Sequence, residues 1–244
     1  MPSPAEDPLI PDEPSPAVAP EGRPIVAGFV AGAALLSFIA ILGTYRVGLE
    51  WVGYAVAGVA LVIALWCAWF FRDPERRIPS ARGAVICPAD GRVVMVGPAE
   101  PPTELGIDPG VASGMIRIAV FMNVFNVHVN RSPVGGVVRK VCYREGKFLN
   151  ASLDKASVDN ERLGLVVRME NGTEVASVQI AGLVARRIVC RVPEGARLGP
   201  GQRYGLIRFG SRVDVYVPAG TTVLAKVGDK PVAGETVLAV LGAG

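Results

Sequence analysis

The chain has 244 residues, with 25 Lys and Arg against 22 Asp and Glu, and half of its residues are hydrophobic. That length allows one or two domains, and two apolar runs near the N-terminus account for much of the hydrophobic content. The four cysteines (Cys67, Cys87, Cys142, Cys190) are too far apart for a zinc or redox motif, and with a single histidine and no clustered carboxylates the composition speaks against a transition-metal site.

Residues 1–24 carry eight prolines and five acidic side chains against Arg23 alone. Such a segment cannot bury enough apolar area to order itself and is predicted to be a disordered tail. Residues 25–43 and 51–71 are uncharged, and as helices they would span about 28 and 31 Å, enough to cross a bilayer. With only residues 44–50 between them, they are predicted to form a transmembrane hairpin, residues 25–71. Tyr45, Trp51, Trp66, Trp69, Phe70 and Phe71 stand near its ends, where interfacial rings concentrate. Arg72, Arg76, Arg77 and Arg82 follow the second run while the connecting loop offers only Arg46, a bias that puts the C-terminal part on the cytoplasmic side of the cell membrane. Beyond residue 71 lie 23 of the 25 basic and 16 of the 22 acidic side chains, a net +7. This suits a domain lying on an anionic lipid surface, and equally an ordinary solvated surface with a mild basic excess. A reducing cytoplasm would keep the cysteines as thiols.

From about residue 80 the chain is a series of short, β-branched-rich runs separated by Gly and Pro, among them RVVMV, MIRIAVFM, VGGVVRKVCYR, LGLVVRM, EVASVQIAG and LVARRIVCRV. These predict an all-β sandwich or barrel over residues 72–244, with a short helix near residues 156–161. In RFGSRVDVYVP, residues 208–218, Val213, Val215 and Val217 alternate with Arg212, Asp214 and Tyr216, which predicts a half-buried strand entered at Ser211. Gly210 before it leaves a carbonyl open to the neighbouring hydroxyl, although Gly-Ser is also a common turn pair. A serine hydroxyl needs a base, and a carboxylate-oriented imidazole is the usual one. The chain offers His128 in FNVHVNRSP and Asp90 in the turn PADG, each of which could also be purely structural.

Together these stretches resemble the phosphatidylserine decarboxylases in their short, membrane-associated form. The likeness rests on CPADGRV, FNVHVNRSPVGG, GKFLNASLDKASVDNER, VQIAGLVARRIVC and RFGSRVDVYVP, in that order along nearly the whole chain after residue 70. It implies a self-processing enzyme. His128, oriented by Asp90, would activate Ser211 to attack the Gly210 carbonyl, and the resulting ester would break down to leave a pyruvoyl group on the new N-terminus. Residues 1–210 would form the β chain and 211–244 the α chain, still joined in one fold. The pyruvoyl group would condense with the amine of phosphatidylserine and accept the electrons left by CO2, giving phosphatidylethanolamine with neither pyridoxal phosphate nor a metal. The partners implied are the lipid, its membrane and the two chains of one precursor, with no nucleic acid; homo-oligomer formation is left open.

One departure from the better-known long members is at Phe125, where they carry a second histidine that handles substrate. Phe125, Asn126, Asn130 and Arg131 are then the candidate substrate contacts. Two other readings compete. The segment VLAKVGDKPVAGETVLAV is similar to biotinyl or lipoyl carrier barrels, with Lys226 or Lys230 as the modified residue, but it lacks the flanking residues of that motif. A membrane-tethered serine hydrolase would use the same three residues, but FGSR is not a G-x-S-x-G elbow.

Overall fold

The computed structural model describes residues 16–149, 151, 159–182, 187–208 and 210–242. The chain divides into two compact units, one ending at Glu75 and one starting at Arg76.

The first unit is a hairpin of α1 (Arg23–Tyr45) and α2 (Glu50–Phe70). Pro24 occupies the first turn of α1, where its missing N–H costs nothing. On α2 the buried positions are Gly53, Ala60, Ala64, Cys67 and Phe70, mostly small side chains spaced along one stripe. The remaining surface is apolar as well: Leu35, Leu36, Phe38 and Ile39 on α1, and Val59, Leu61, Val62 and Leu65 on α2, all stand exposed. Both helices are long and apolar enough to cross a membrane.

The second unit is β-rich, as the punctuated runs predict. Its main sheet has seven strands: β2 (Arg92–Pro98), β3 (Ile116–Met122), β5 (Gly136–Arg144), β6 (Arg162–Arg168), β7 (Glu174–Ala181), β9 (Arg197–Leu198) and β11 (Ser211–Val217). They lie in the order β2-β3-β11-β7-β6-β5-β9, every neighbouring pair antiparallel. Two three-stranded sheets complete the unit. One is formed by β4 (Val129–Arg131), β10 (Arg203–Ile207) and β8 (Ile188–Cys190), with β10 central; the other by β1 (Ala84–Ile86), β13 (Val237–Val240) and β12 (Thr222–Val223), with β13 central. Residues 156–158 of the expected helix over 156–161 lie outside the described residues, and of the rest Asn160 forms an isolated β-bridge with Lys147; residues 183–186 of the expected run LVARRIVCRV also lie outside the described residues.

The strand at 211–217 exists, but its environment differs from the half-buried one predicted. β11 sits between β3 and β7, and all seven of its residues are buried. Val213, Val215 and Val217 face one core together with Ile118, Val120, Leu165 and Tyr204. The alternating face is covered too, with Tyr216 packed among Leu105, Met115, Val178 and Ile180. Arg212 and Asp214 survive on that buried face because they neutralise each other: Arg212 Nε and Nη2 donate to the two Asp214 oxygens at 2.7 and 2.9 Å. Alternation in sequence showed the pleat; it could not show that the polar side was also covered.

Candidate active site

The antiparallel register places Ser211, the first residue of β11, opposite Met122 at the end of β3 and Ala181 at the end of β7. Ser211 is fully buried, and its Oγ makes no hydrogen bond among the described residues. Gly210, just before it, has φ +61°, a left-handed conformation that any other residue would hold under strain. Its carbonyl oxygen lies so close to Gly182 that a side chain on Gly182 would collide with it.

His128 directly precedes β4 and is fully buried. Its carbonyl accepts from the Ile207 amide at 3.2 Å, so the β4–β10 pairing brings the histidine beside the strand that leads to Gly210 and Ser211. His128 Nδ1 lies 2.9 Å from the Asn126 carbonyl. A carbonyl can only accept, so Nδ1 carries the proton and Nε2 is the basic nitrogen of the neutral ring. The orienting contact on the ring thus comes from a backbone carbonyl, where the sequence pointed to Asp90.

Asp90 is held elsewhere. Arg76 Nη2 donates to both of its oxygens, at 3.0 and 2.8 Å, and the Ala233 amide donates to Oδ1 at 2.8 Å. Its link to the histidine runs through the turn it anchors, since the Pro88 carbonyl accepts from the Arg131 amide at 3.0 Å and from Asn130 Nδ2 at 3.4 Å.

The four candidate substrate contacts fall in different settings. Phe125 is 63% exposed at the tip of the turn before His128. Asn126 shapes that turn, its Oδ1 accepting from the Asn123 amide at 2.9 Å. Arg131 is buried, with Nη1 on the Gly201 carbonyl at 3.1 Å. Asn130 is fully buried and accepts from Gln179 Nε2 at 2.8 Å.

Several further residues shape the site and were not picked out from sequence. Asn160 donates to the Leu149 and Ala181 carbonyls at 2.8 and 2.7 Å and accepts from the Leu149 amide at 3.0 Å, tying the segment before residue 150 to the end of β7. Arg212 Nη1 reaches the Ala151 carbonyl at 3.0 Å from the next position after Ser211. Gln179 follows the alternation of β7, in which Ser177 and Gln179 alternate with Ala176, Val178 and Ile180, so no local signal set it apart; only the covering of that face in the fold makes it a buried amide. The cysteines are free, and burial pushes the Cys87 thiol up to about 12, far from a nucleophilic thiolate. A cavity of about 1000 Å3 opens at the far end of β11, lined by Arg139, Glu174 and Pro218 among others. It lies a full strand away from Ser211, roughly 20 Å at 3.3 Å per residue.

The family model that describes phosphatidylserine decarboxylase matches residues 63–239 of this chain. The chain belongs to the phosphatidylserine decarboxylase family. Its similarity to individual members is high throughout. It is 52% identical over 221 residues to the phosphatidylserine decarboxylase proenzyme of Cereibacter sphaeroides, covering 91% of this chain and 88% of that one. To the proenzyme of Azorhizobium caulinodans it is 55% identical over 202 residues, 83% and 85% of the two chains. To that of Saccharopolyspora erythraea it is 50% identical over 226 residues, 93% and 89%. The protein is therefore an enzyme, a decarboxylase. The phosphatidylserine decarboxylase match takes in Asp90, His128, Gly182 and Ser211 together with Lys226 and Lys230, so a carrier role resting on the C-terminal segment alone leaves most of it unexplained.

Proposed function

We propose that this chain is a proenzyme that splits itself between Gly210 and Ser211 and then decarboxylates phosphatidylserine to phosphatidylethanolamine with a pyruvoyl group made from Ser211. The observation that carries this reading is the buried, unbonded Ser211 Oγ directly after a glycine in a left-handed conformation, in a member of a family whose relatives are named proenzymes.

His128 Nε2 takes the Ser211 hydroxyl proton as Oγ bonds to the Gly210 carbonyl carbon, and the Gly210–Ser211 C–N bond breaks as that proton passes to the freed nitrogen. The ester then loses Gly210 as a carboxylate by elimination across the Ser211 Cα and Cβ, and water replaces the nitrogen. Ser211 fits the group it becomes: it is fully buried, at the rigid start of a central strand, and its Oγ bonds to no described residue. The pyruvoyl carbonyl supplies the electron sink for loss of CO2 from an amine-bearing substrate. The pairing of β11 with β3 and β7 and the bond from Arg212 Nη1 to the Ala151 carbonyl span the cut, which keeps residues 211–244 seated as the α chain once the peptide bond is gone.

The exposed apolar faces of α1 and α2 support their reading as a transmembrane hairpin, with Arg72, Arg76, Arg77 and Arg82 holding the β-rich unit on the cytoplasmic side. On this reading the decarboxylase works at the lipid surface that holds its substrate. A denaturing gel and mass spectrometry of the purified protein test the proposal: two chains, the smaller starting at residue 211 with a blocked N-terminus, are expected. Borohydride should abolish activity, whereas chelators and omission of pyridoxal phosphate should not. A fully active enzyme made of one uncut chain would overturn it.

A further inference from the structure

Gln179 is fully buried beside the site, and its Oε1 has no hydrogen-bond partner. Its amide orientation is dictated from one end. The Pro88 carbonyl can only accept, so the group Asn130 turns towards it is the Nδ2 donor; Asn130 Oδ1 then accepts from Gln179 Nε2. The outward end of this amide chain is consequently an oxygen, which can serve only a donor. In the sheet Gln179 faces Val213 and Ala181 faces Ser211, so Gln179 and Ser211 are diagonal neighbours on one face. Diagonal positions lie about 7–8 Å apart, and a long side chain reduces that gap to the span of one water molecule. Ser211 Oγ, on the same face, is likewise buried and unbonded. Two buried polar atoms on one sheet face, each without a partner among the described residues, are what a held water would satisfy, since leaving them bare is costly.

We propose that Gln179 is a positioning residue that holds, by its Oε1, the water that completes maturation. This rests on the self-processing reading above. After the ester is eliminated, residue 211 is an unsaturated amine that becomes an imine by moving one proton to its Cβ. The water oxygen adds to the carbon that was the Ser211 Cα, the nitrogen leaves as ammonia, and a keto carbonyl remains; no oxidant or reductant enters. At a site this deeply buried, a fixed acceptor that retains and orients the water speeds the step.

The test follows full-length protein in detergent from the time of synthesis, reading chain splitting on quenched gels, ammonia release, and hydrazide labelling of the α chain under native conditions. In the wild type, carbonyl and ammonia should keep pace with splitting. Gln179→Leu should split at the wild-type rate while carbonyl and ammonia lag on the order of tenfold, the size of one ordinary hydrogen bond. Gln179→Glu, when protonated, donates to Asn130 Oδ1 and keeps an acceptor towards Ser211; it should restore carbonyl formation at low pH and lose it as pH rises. Carbonyl formation in step with splitting in Gln179→Leu overturns the inference. If that variant does not fold, a pH-independent Gln179→Glu overturns it instead. A wild-type chain that splits without gaining a carbonyl would sink the pyruvoyl reading itself, whatever Gln179 does.

Discussion

The carbonyl oxygen of Gly210 sits against the Cα of Gly182, leaving no room for a Cβ there. In the proposed self-splitting that oxygen would become the oxyanion as Ser211 attacks, so its position would govern the angle of attack. Gly182→Ala is expected to push it aside and slow splitting by on the order of 10²-fold, the effect of a misplacement near 1 Å. Gel time courses of newly made protein measure this; unchanged splitting would show that the carbonyl can shift at no cost.

Ser211→Ala removes the proposed nucleophile and should leave one uncut, inactive chain. His128→Ala removes the proposed base and should come close to the same result. Asp90→Asn should be milder, because the ring is oriented by the Asn126 carbonyl while Asp90 holds Arg76 and the turn around Pro88. Splitting rates of the three variants, compared on one gel, give the order; an Asp90→Asn chain as inert as His128→Ala would mean that the carboxylate acts on the reaction directly.

The buried pair of Arg212 and Asp214 predicts a stability effect with a clear signature. Arg212→Met leaves a carboxylate buried without its main partner, and should cost about 3–5 kcal/mol. Replacing both residues with apolar ones of similar size should cost much less. Denaturant unfolding of full-length protein in detergent distinguishes the two. Equal losses in the single and double variants would mean that Arg117, 3.9 Å from Asp214, already balances the charge.

Burial raises the Cys87 thiol from 9.0 to about 12, and burial also raises the Tyr204 and Tyr216 hydroxyls. A raised folded-state value means that the neutral form is favoured in the native protein. Its contribution is fully present below the unfolded value and is lost as pH climbs through the folded one. Stability should therefore decline across pH 9 to 12, while Cys87 in the native protein resists alkylation. A denaturation midpoint that stays flat over that range would contradict the assignment.

If α1 and α2 serve as an anchor, deleting residues 1–71 should leave a chain that still splits, because Asp90, His128 and Ser211 all belong to the unit starting at Arg76. Turnover of phosphatidylserine in bilayers should drop. Residual binding to anionic vesicles should weaken steeply with salt, as expected for basic side chains acting within a Debye length of about 8 Å. Binding that ignores salt would point to an apolar docking surface instead.

Residues 25–43 and 51–71 foretold α1 and α2, and the alternation of Val213, Val215 and Val217 foretold β11, because helical length and strand pleat are properties of a few consecutive residues. The motifs around Asp90, His128 and Ser211 could likewise be read along the chain, since chemistry fixes residue types before it fixes their placement. The short strands β4, β9, β10 and β12 escaped notice: too brief to show a period, they exist only through their partners. The same limit hid the covered second face of β11, the engagement of Asp90 by Arg76, and the approach of Gln179 to Ser211. Each depends on which distant segments become neighbours in the sheets, and that order is set by the packing of the whole unit rather than by any local run of residues.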